Sequence, residues 1–172
     1  MAIKIALTNL GKYNEGELVY QWLTLPATEE EIEETKEAIG INEEYEEWFI
    51  TDYETEIPEF KVREFDSLER LNEQAEAWEN LEEYQQEAVG ALLEAGLLYT
   101  LAEAIESVES GDYSFYSHMT NERELGEYVI DEGFFGEVPK NLINYLDYEA
   151  IGRDWQLNEG GCFVSGGYIV LY

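Results

Sequence analysis

From Leu71 to Asn121 the chain carries eleven acidic residues and not one lysine or arginine. Ordinary helices alternate sign, so that opposite charges meet at i,i+4. A stretch that never does so must turn its carboxylates to water and fold through apolar contacts on the opposite face. The imbalance runs through the whole chain, where 40 Asp and Glu stand against 9 Lys and Arg for a net charge of −31. A field of that sign repels nucleic acid, anionic membranes and other polyanions, which are excluded as direct ligands. High net charge can also defeat collapse altogether. Here 45% of the 172 residues are hydrophobic and 14% aromatic, which is enough for real cores.

The choice of acid points to helices. Of the 40 acidic residues 34 are Glu and 6 are Asp, and Glu tolerates a helix interior where Asp does not. The 34:6 ratio also speaks against salt adaptation, for which more Asp is expected. One cysteine, Cys162, excludes an intrachain disulfide framework, and one histidine, His118, excludes a multi-His metal site. No apolar run approaches the roughly 20 residues of a membrane span, and the N-terminal residues lack the apolar core of a signal peptide. The chain reads as a soluble cytoplasmic protein.

The pattern along the chain is α+β, in three segments. Residues 1–61 read β-β-α-β: strands at Ile3–Thr8 and Leu18–Leu25 flank a Gly-rich connection at Leu10–Glu17. A helix follows from Thr28, with Thr28 and Glu31 in capping-box register and Gly40 as its stop. A strand returns over Glu46–Glu54, before a linker at Pro58. Residues 62–110 read as three helices. The first opens on an Asp66/Glu69 capping box and presents Leu68, Leu71, Ala75 and Trp78. The second spans Tyr84–Glu94 and stops at Gly96. The third presents Leu98, Leu101, Ile105 and Val108 and ends at Gly111. Residues 111–172 read as a strand at Tyr113–Ser117 and a helix from Asn121 to Asp131 with Asn121 and Glu124 in capping-box register. A loop with Gly133 and Gly136 comes next, then a helix opening at Pro139. Another helix is capped by Asp147 and ends near Trp155, and a hairpin with Gly166–Gly167 as its turn closes the chain.

Catalytic and cofactor chemistry finds no support in the residues. Paired carboxylates serve glycoside hydrolysis, but with 40 acids every spacing recurs by chance. No D-x-[DN]-x-[DN]-G calcium loop and no Gly-rich phosphate loop is present. Asp131–Glu137 is the nearest acidic, Gly-containing loop, and it reads as solvated. Cys162, between strand residues, reads as a small hydrophobe rather than a nucleophile, and His118 as a surface or capping residue. No cofactor, metal or catalytic residue is assigned.

The charge itself admits two readings. An acidic helix face can serve solubility alone. It can also hold carboxylates where the phosphates of a nucleic acid would lie. Duplex DNA carries one charge per roughly 1.7 Å, so 31 charges match about 53 Å of duplex and a dimer about 105 Å. Helix neighbours at i+3 and i+4 stand about 5–6 Å apart at Cβ. The candidates for such a display are Glu29, Glu30, Glu33 and Glu37 on the first helix and Glu43, Glu44, Glu46 and Glu47 after it. Glu73, Glu76, Glu83, Glu87, Glu94, Glu103, Glu106 and Glu109 continue the series.

Three runs, LTNLGKYNEGELV (Leu7–Val19), EEYEEWFITDYE (Glu43–Glu54) and VIDEGFFGEVPKNLINYLDYEAIGRD (Val129–Asp154), resemble the ArdA antirestriction family. The resemblance runs in order along nearly the whole chain, and over Phe65–Ser110 it rests mainly on helical character and acidity. It implies an elongated, curved three-domain chain with boundaries near Lys61 and Ser110. It implies a homodimer, joined through the C-terminal domain, that mimics bent DNA. It implies as partner the DNA-binding groove of a type I restriction–modification enzyme, whose restriction, and often modification, of incoming mobile DNA is blocked. The family's antirestriction motif maps to Leu125, Gly126, Tyr128, Val129, Asp131, Glu132, Gly133, Phe134, Phe135, Gly136 and Glu137, associated with the dimer contact. By its residues alone, the apolar cluster of Tyr128, Val129, Phe134, Phe135 and Val138 suits core packing and a subunit interface equally. A DNA mimic aimed elsewhere, such as at a CRISPR effector, and an acidic cation-binding protein or hydrolase are the alternatives.

Overall fold

The alternation Ile3, Ile5, Leu7 sends one row of side chains from the first strand into an apolar layer, where all three are fully buried. In the computed structural model, which describes residues 2–172, this strand, β1 (Ile3–Asn9), is the centre of a three-stranded antiparallel sheet. β2 (Tyr20–Leu25) pairs on one side and β3 (Trp48–Thr55) on the other. The register shifts at the Ala6–Leu7 step, leaving Thr51 as the extra residue of a bulge in β3. Leu18 stays outside the ladder, so β2 begins two residues later than the alternation suggests.

The Gly-rich connection Leu10–Glu17 holds a short helix, α1 (Leu10–Asn14), and Asn9 is the reason. Its buried amide oxygen accepts from the Lys12 N–H at 3.0 Å, while its amide nitrogen donates to the Ile39 carbonyl at 3.1 Å. One side chain thereby starts α1 and closes the far end of α2 (Glu29–Ala38). At the near end of α2 the capping box is complete. The Glu31 N–H donates to Thr28 Oγ1, and the Thr28 N–H donates to the Glu31 carboxylate at 2.8 Å.

α3 (Leu68–Glu79) starts on Ser67 rather than on Asp66, because Ser67 is the residue that flanks the first helical turn and accepts from the Arg70 N–H. Asp66 instead grips the Arg70 guanidinium at 2.6 Å. Leu68, Leu71, Ala75 and Trp78 are buried as the helical spacing demands. Asn72 fixes the helix to the chain before α2, accepting from Ala27 N–H at 2.7 Å and donating to its carbonyl at 3.0 Å.

The chain forms two compact units, residues 1–86 and 87–172, dividing inside α4 (Glu83–Glu94). The expected boundary near Lys61 lies within the first unit and that near Ser110 within the second.

In the second unit, Thr100 caps α5 (Leu101–Ser110), which leaves Leu98 ahead of the helix rather than on it. Leu101, Ala104, Ile105 and Val108 are buried, and Gly111 ends the helix in the left-handed conformation. β4 (Tyr113–Ser117), β5 (Cys162–Val164) and β6 (Gly167–Leu171) form a second antiparallel sheet in the order β4-β6-β5. The last hairpin turns at Ser165–Gly166, one residue earlier than the sequence suggests. Gly167 belongs to β6, at φ +154°, where the Tyr116 carbonyl fills the space a Cβ would need.

α6 (Glu122–Asp131) is capped by Asn121, but the return bond is displaced by one residue, with the Glu124 carboxylate accepting from Thr120 N–H at 2.7 Å. Pro139 opens a turn followed only by one 3₁₀ turn at Ile143–Tyr145, not an α-helix. α7 (Tyr148–Glu159) is capped by Asp147 and runs four residues beyond Trp155, with Gly160 as its stop. α6 and α7 cross at Gly126 and Gly152, where a Cβ on either would overlap a backbone carbonyl of the other helix, Tyr148 or Glu122. Leu125 and Val129 of α6 pack with Tyr168 and Val170 of β6. Seven α-helices and two antiparallel sheets among the described residues make the fold α+β.

Two outcomes follow from these contacts. Gly152→Ala should destabilise the chain by about 1–3 kcal/mol in denaturant titration, because helix backbones cannot yield as a side chain does. That figure is net of the roughly 1 kcal/mol of helix propensity that Ala gains over Gly. The second concerns Glu31, whose carboxyl the Thr28 backbone and side-chain hydrogen bonds hold below its ordinary value of 4.5. Such a group contributes stability above its unfolded pKa and loses it as pH falls through the lowered folded value. Glu31→Ala should therefore be less stable than Glu30→Ala at neutral pH, and the gap should narrow below pH 4.5. Glu30→Ala removes the same charge without a cap.

Candidate functional site

The helices and one tied connection display the acid. Glu29, Glu33 and Glu37 recur every four residues on α2 with Glu30 beside them, and all four are exposed. Glu43, Glu44, Glu46 and Glu47 lie between α2 and β3, also exposed. Asn42 shapes that connection by accepting from Glu44 N–H at 2.8 Å and Tyr45 N–H at 3.1 Å. The Tyr45 hydroxyl donates to the Glu15 carboxylate at 3.0 Å, which pushes its own phenol pKa up. Glu73 and Glu76 on α3 and Glu83 at the start of α4 complete the exposed candidates of the first unit. In the second unit Glu87 and Glu94 project from α4, and Glu103, Glu106 and Glu109 from α5, all exposed.

Three of these sixteen have work inside the chain that the sequence did not disclose. Glu33 pairs with Lys36 at 2.7 Å. Glu103 accepts from the Thr100 hydroxyl at 2.7 Å, as part of the α5 cap. Glu94 accepts from both the N–H and the hydroxyl of Ser165, each at 2.8 Å, across 71 residues of sequence. A capping pattern in Thr100–Glu103 was available to find the second; nothing local signals the third.

Chemically, this arrangement holds anions at fixed spacing. Along a helix the neighbours stand about 5–6 Å apart at Cβ, well within the screening length of about 8 Å at physiological salt. Along each helix the carboxylates therefore act as one field and not as isolated charges. Among the described residues no three His, Cys, Asp or Glu side chains converge as a metal site, and no helix is long and apolar enough to cross a membrane. Cys162 is half-buried and unpaired in β5. His118 is exposed, at φ +71°.

The motif from Leu125 to Glu137 divides in two. Its helical half turns inward: Leu125, Gly126 and Val129 are buried, and Tyr128 is half-buried. Its turn half faces water, with Asp131, Glu132, Gly133, Gly136 and Glu137 exposed, Phe134 54% exposed and Phe135 63%. Both phenylalanines lean on Trp155 of α7, at ring-centroid distances of 5.0 and 5.7 Å. Tyr128 joins Phe134 to the interior through Tyr116, 5.1 Å away. The hydrogen bond between these two tyrosines, with burial adding to it, pushes the Tyr128 phenol up to about 12. Trp155 in turn donates to Glu159 at 2.8 Å, so the support beneath the exposed rings is itself tied down. Trp155 and Tyr116 belong to this site, although no motif singles them out.

A protein-family model described as antirestriction protein (ArdA) matches residues 5–170. No individual curated protein matches the chain. The family match takes in the acidic helices, the divided motif and both compact units, and the chain accordingly belongs to the ArdA family of antirestriction proteins.

Proposed function

We propose that this protein is a non-enzymatic inhibitor that sets its carboxylates where DNA phosphates would lie in the basic groove of a type I restriction–modification enzyme, on its methyltransferase core. Restriction, and with it modification, of incoming mobile DNA is blocked because the groove is already filled. The protein acts in the cytoplasm, where those enzymes meet DNA, and uses no cofactor. The observation that carries this reading is the display of sixteen exposed glutamates on helices and a hydrogen-bonded connection, within a family of antirestriction proteins.

The protein works as a homodimer in this reading. The exposed Phe134–Phe135 turn is apolar, supported from below and flanked by glycines. A two-fold axis lets such a patch meet its own copy. Pairing two chains doubles the length of duplex replaced, to about 105 Å on the phosphate scale.

Distributed charge predicts a distinctive mutational response. Exposed ion pairs contribute about 0.2–1 kcal/mol each. One Glu→Gln change among the candidates should weaken displacement of labelled DNA from a type I enzyme by a factor of about 2. Changing Glu29, Glu30, Glu33 and Glu37 together should weaken it by about tenfold or more. Loss of all activity from one such change would instead mark a specific site. Wild-type protein that is folded and dimeric but fails to displace the DNA would redirect the reading to another DNA-binding target. For the dimer, Phe134→Ser with Phe135→Ser should halve the mass measured by analytical ultracentrifugation without changing the circular dichroism spectrum.

A further inference from the structure

The sheet of the first unit has a second face of which Tyr13 of α1 covers only part, packing against Phe49 at a ring-centroid distance of 5.1 Å. Its register places Trp22, Ala6 and Asp52 side by side across β2, β1 and β3, and Tyr20, Thr8 and Phe49 in the row beside them. Small residues on the central strand, between large ones on its neighbours, leave a trough. Adjacent strands stand about 4.8 Å apart, so β2 and β3 lie about 9.6 Å apart across β1, which leaves roughly the width of one side chain between the walls. Tyr13 of α1, Leu18 and Glu64 complete an open hollow of about 410 Å³. The rim is wet, with Leu18 62% and Tyr20 48% exposed.

Two features say what this hollow takes. Asp52 and Glu64 line it, and among the described residues neither is paired with a cation. The face also shows its own preference: the Lys4 ammonium sits 4.8 Å from the centre of the Trp22 ring while pairing with Glu54 at 3.6 Å. Aromatic ring faces attract cations, and guanidinium more often than ammonium. An arginine can lay its apolar stem along Tyr20 and Leu18 while its planar head meets a carboxylate.

Resting on the proposed encounter with a basic DNA-binding groove, we propose that this aromatic–acidic trough seats one arginine side chain of the target protein. A carboxylate display gives attraction without direction. A socket of rings backed by carboxylates fixes where the first unit sits, and it does so with a contact that DNA itself does not offer.

The test has two arms. In NMR spectra of the free protein, N-acetyl-arginine amide should shift the Trp22 indole and the Tyr13 and Tyr20 ring signals, while the uncharged citrulline analogue should not. Shifts spread evenly over the acidic helices, or equal shifts with citrulline, overturn the proposal. In the displacement assay, Tyr20→Thr, which keeps a strand-favouring residue on an edge strand, should weaken inhibition about five- to tenfold. Asp52→Asn should weaken it more than Glu59→Gln, which removes the same charge outside the hollow. Unchanged inhibition by Tyr20→Thr and Asp52→Asn, with the fold intact, overturns it. Specific arginine shifts in a wild-type protein that does not displace DNA from a type I enzyme would uphold the socket and refute only the choice of target.

Discussion

Mutual repulsion among forty carboxylates is the constraint around which this protein is built. Like charges at i,i+4 on a helix cost about 0.2–0.5 kcal/mol a pair, and nine basic residues cannot neutralise them. The structure offsets the cost at the helix ends. Among the described residues, six of the seven α-helices start on a side chain that accepts from the first turn: Asn9, Thr28, Ser67, Thr100, Asn121 and Asp147. Even α4, without such a cap, has the Glu82 N–H satisfied by Gln85 at 2.9 Å. Acids crowd the first turns, as in Glu29–Glu31 of α2, where the helix dipole favours them. Strong caps allow the remaining faces to stay acidic.

The same constraint explains why the apolar contacts are so close where they occur. A helix with one face given to carboxylates has little left for burial, and α6 and α7 make up for this by backbone approach at Gly126 and Gly152. Gly126, in the stretch that resembles the family's antirestriction motif, is therefore required for a reason internal to one chain. The turn that follows spends its apolar residues differently, keeping Phe134 and Phe135 at the surface on a tied-down Trp155. Sequence proximity within the motif thus joins two unlike jobs, one in the core and one outside it.

Much of the fold was legible because caps and periodicity are local. Thr28–Glu31, the buried row Leu68, Leu71, Ala75, Trp78 and the stop at Gly111 all follow from spacings of three or four residues. Several of the failures share a cause, which is that the deciding partner lies far away in sequence. α1 exists because Asn9 is buried against the end of α2, and Gly167 is a strand residue because Tyr116 crowds it. The exposure of the glutamates was equally legible, since nothing else could surround them. Glu94 bonding Ser165 was not, and neither was the inward and outward split of the motif, because Gly-Phe-Phe-Gly has no period to read.

A surface of point charges is an incomplete inhibitor. Its attraction is long-range and falls with salt, and any sufficiently basic groove satisfies it. Selectivity needs contacts that work at short range and depend on shape. The first unit supplies such a feature in a trough lined by Ala6 and Thr51 and bounded by Trp22, Tyr20 and Phe49. The second supplies another in the Phe134–Phe135 turn. Each sits on a sheet face or a turn, where side-chain direction is set by register or packing. In the function proposed above, charge would bring the partner in and the two aromatic features would decide how it is held: one by seating a cation, the other by pairing with the second copy.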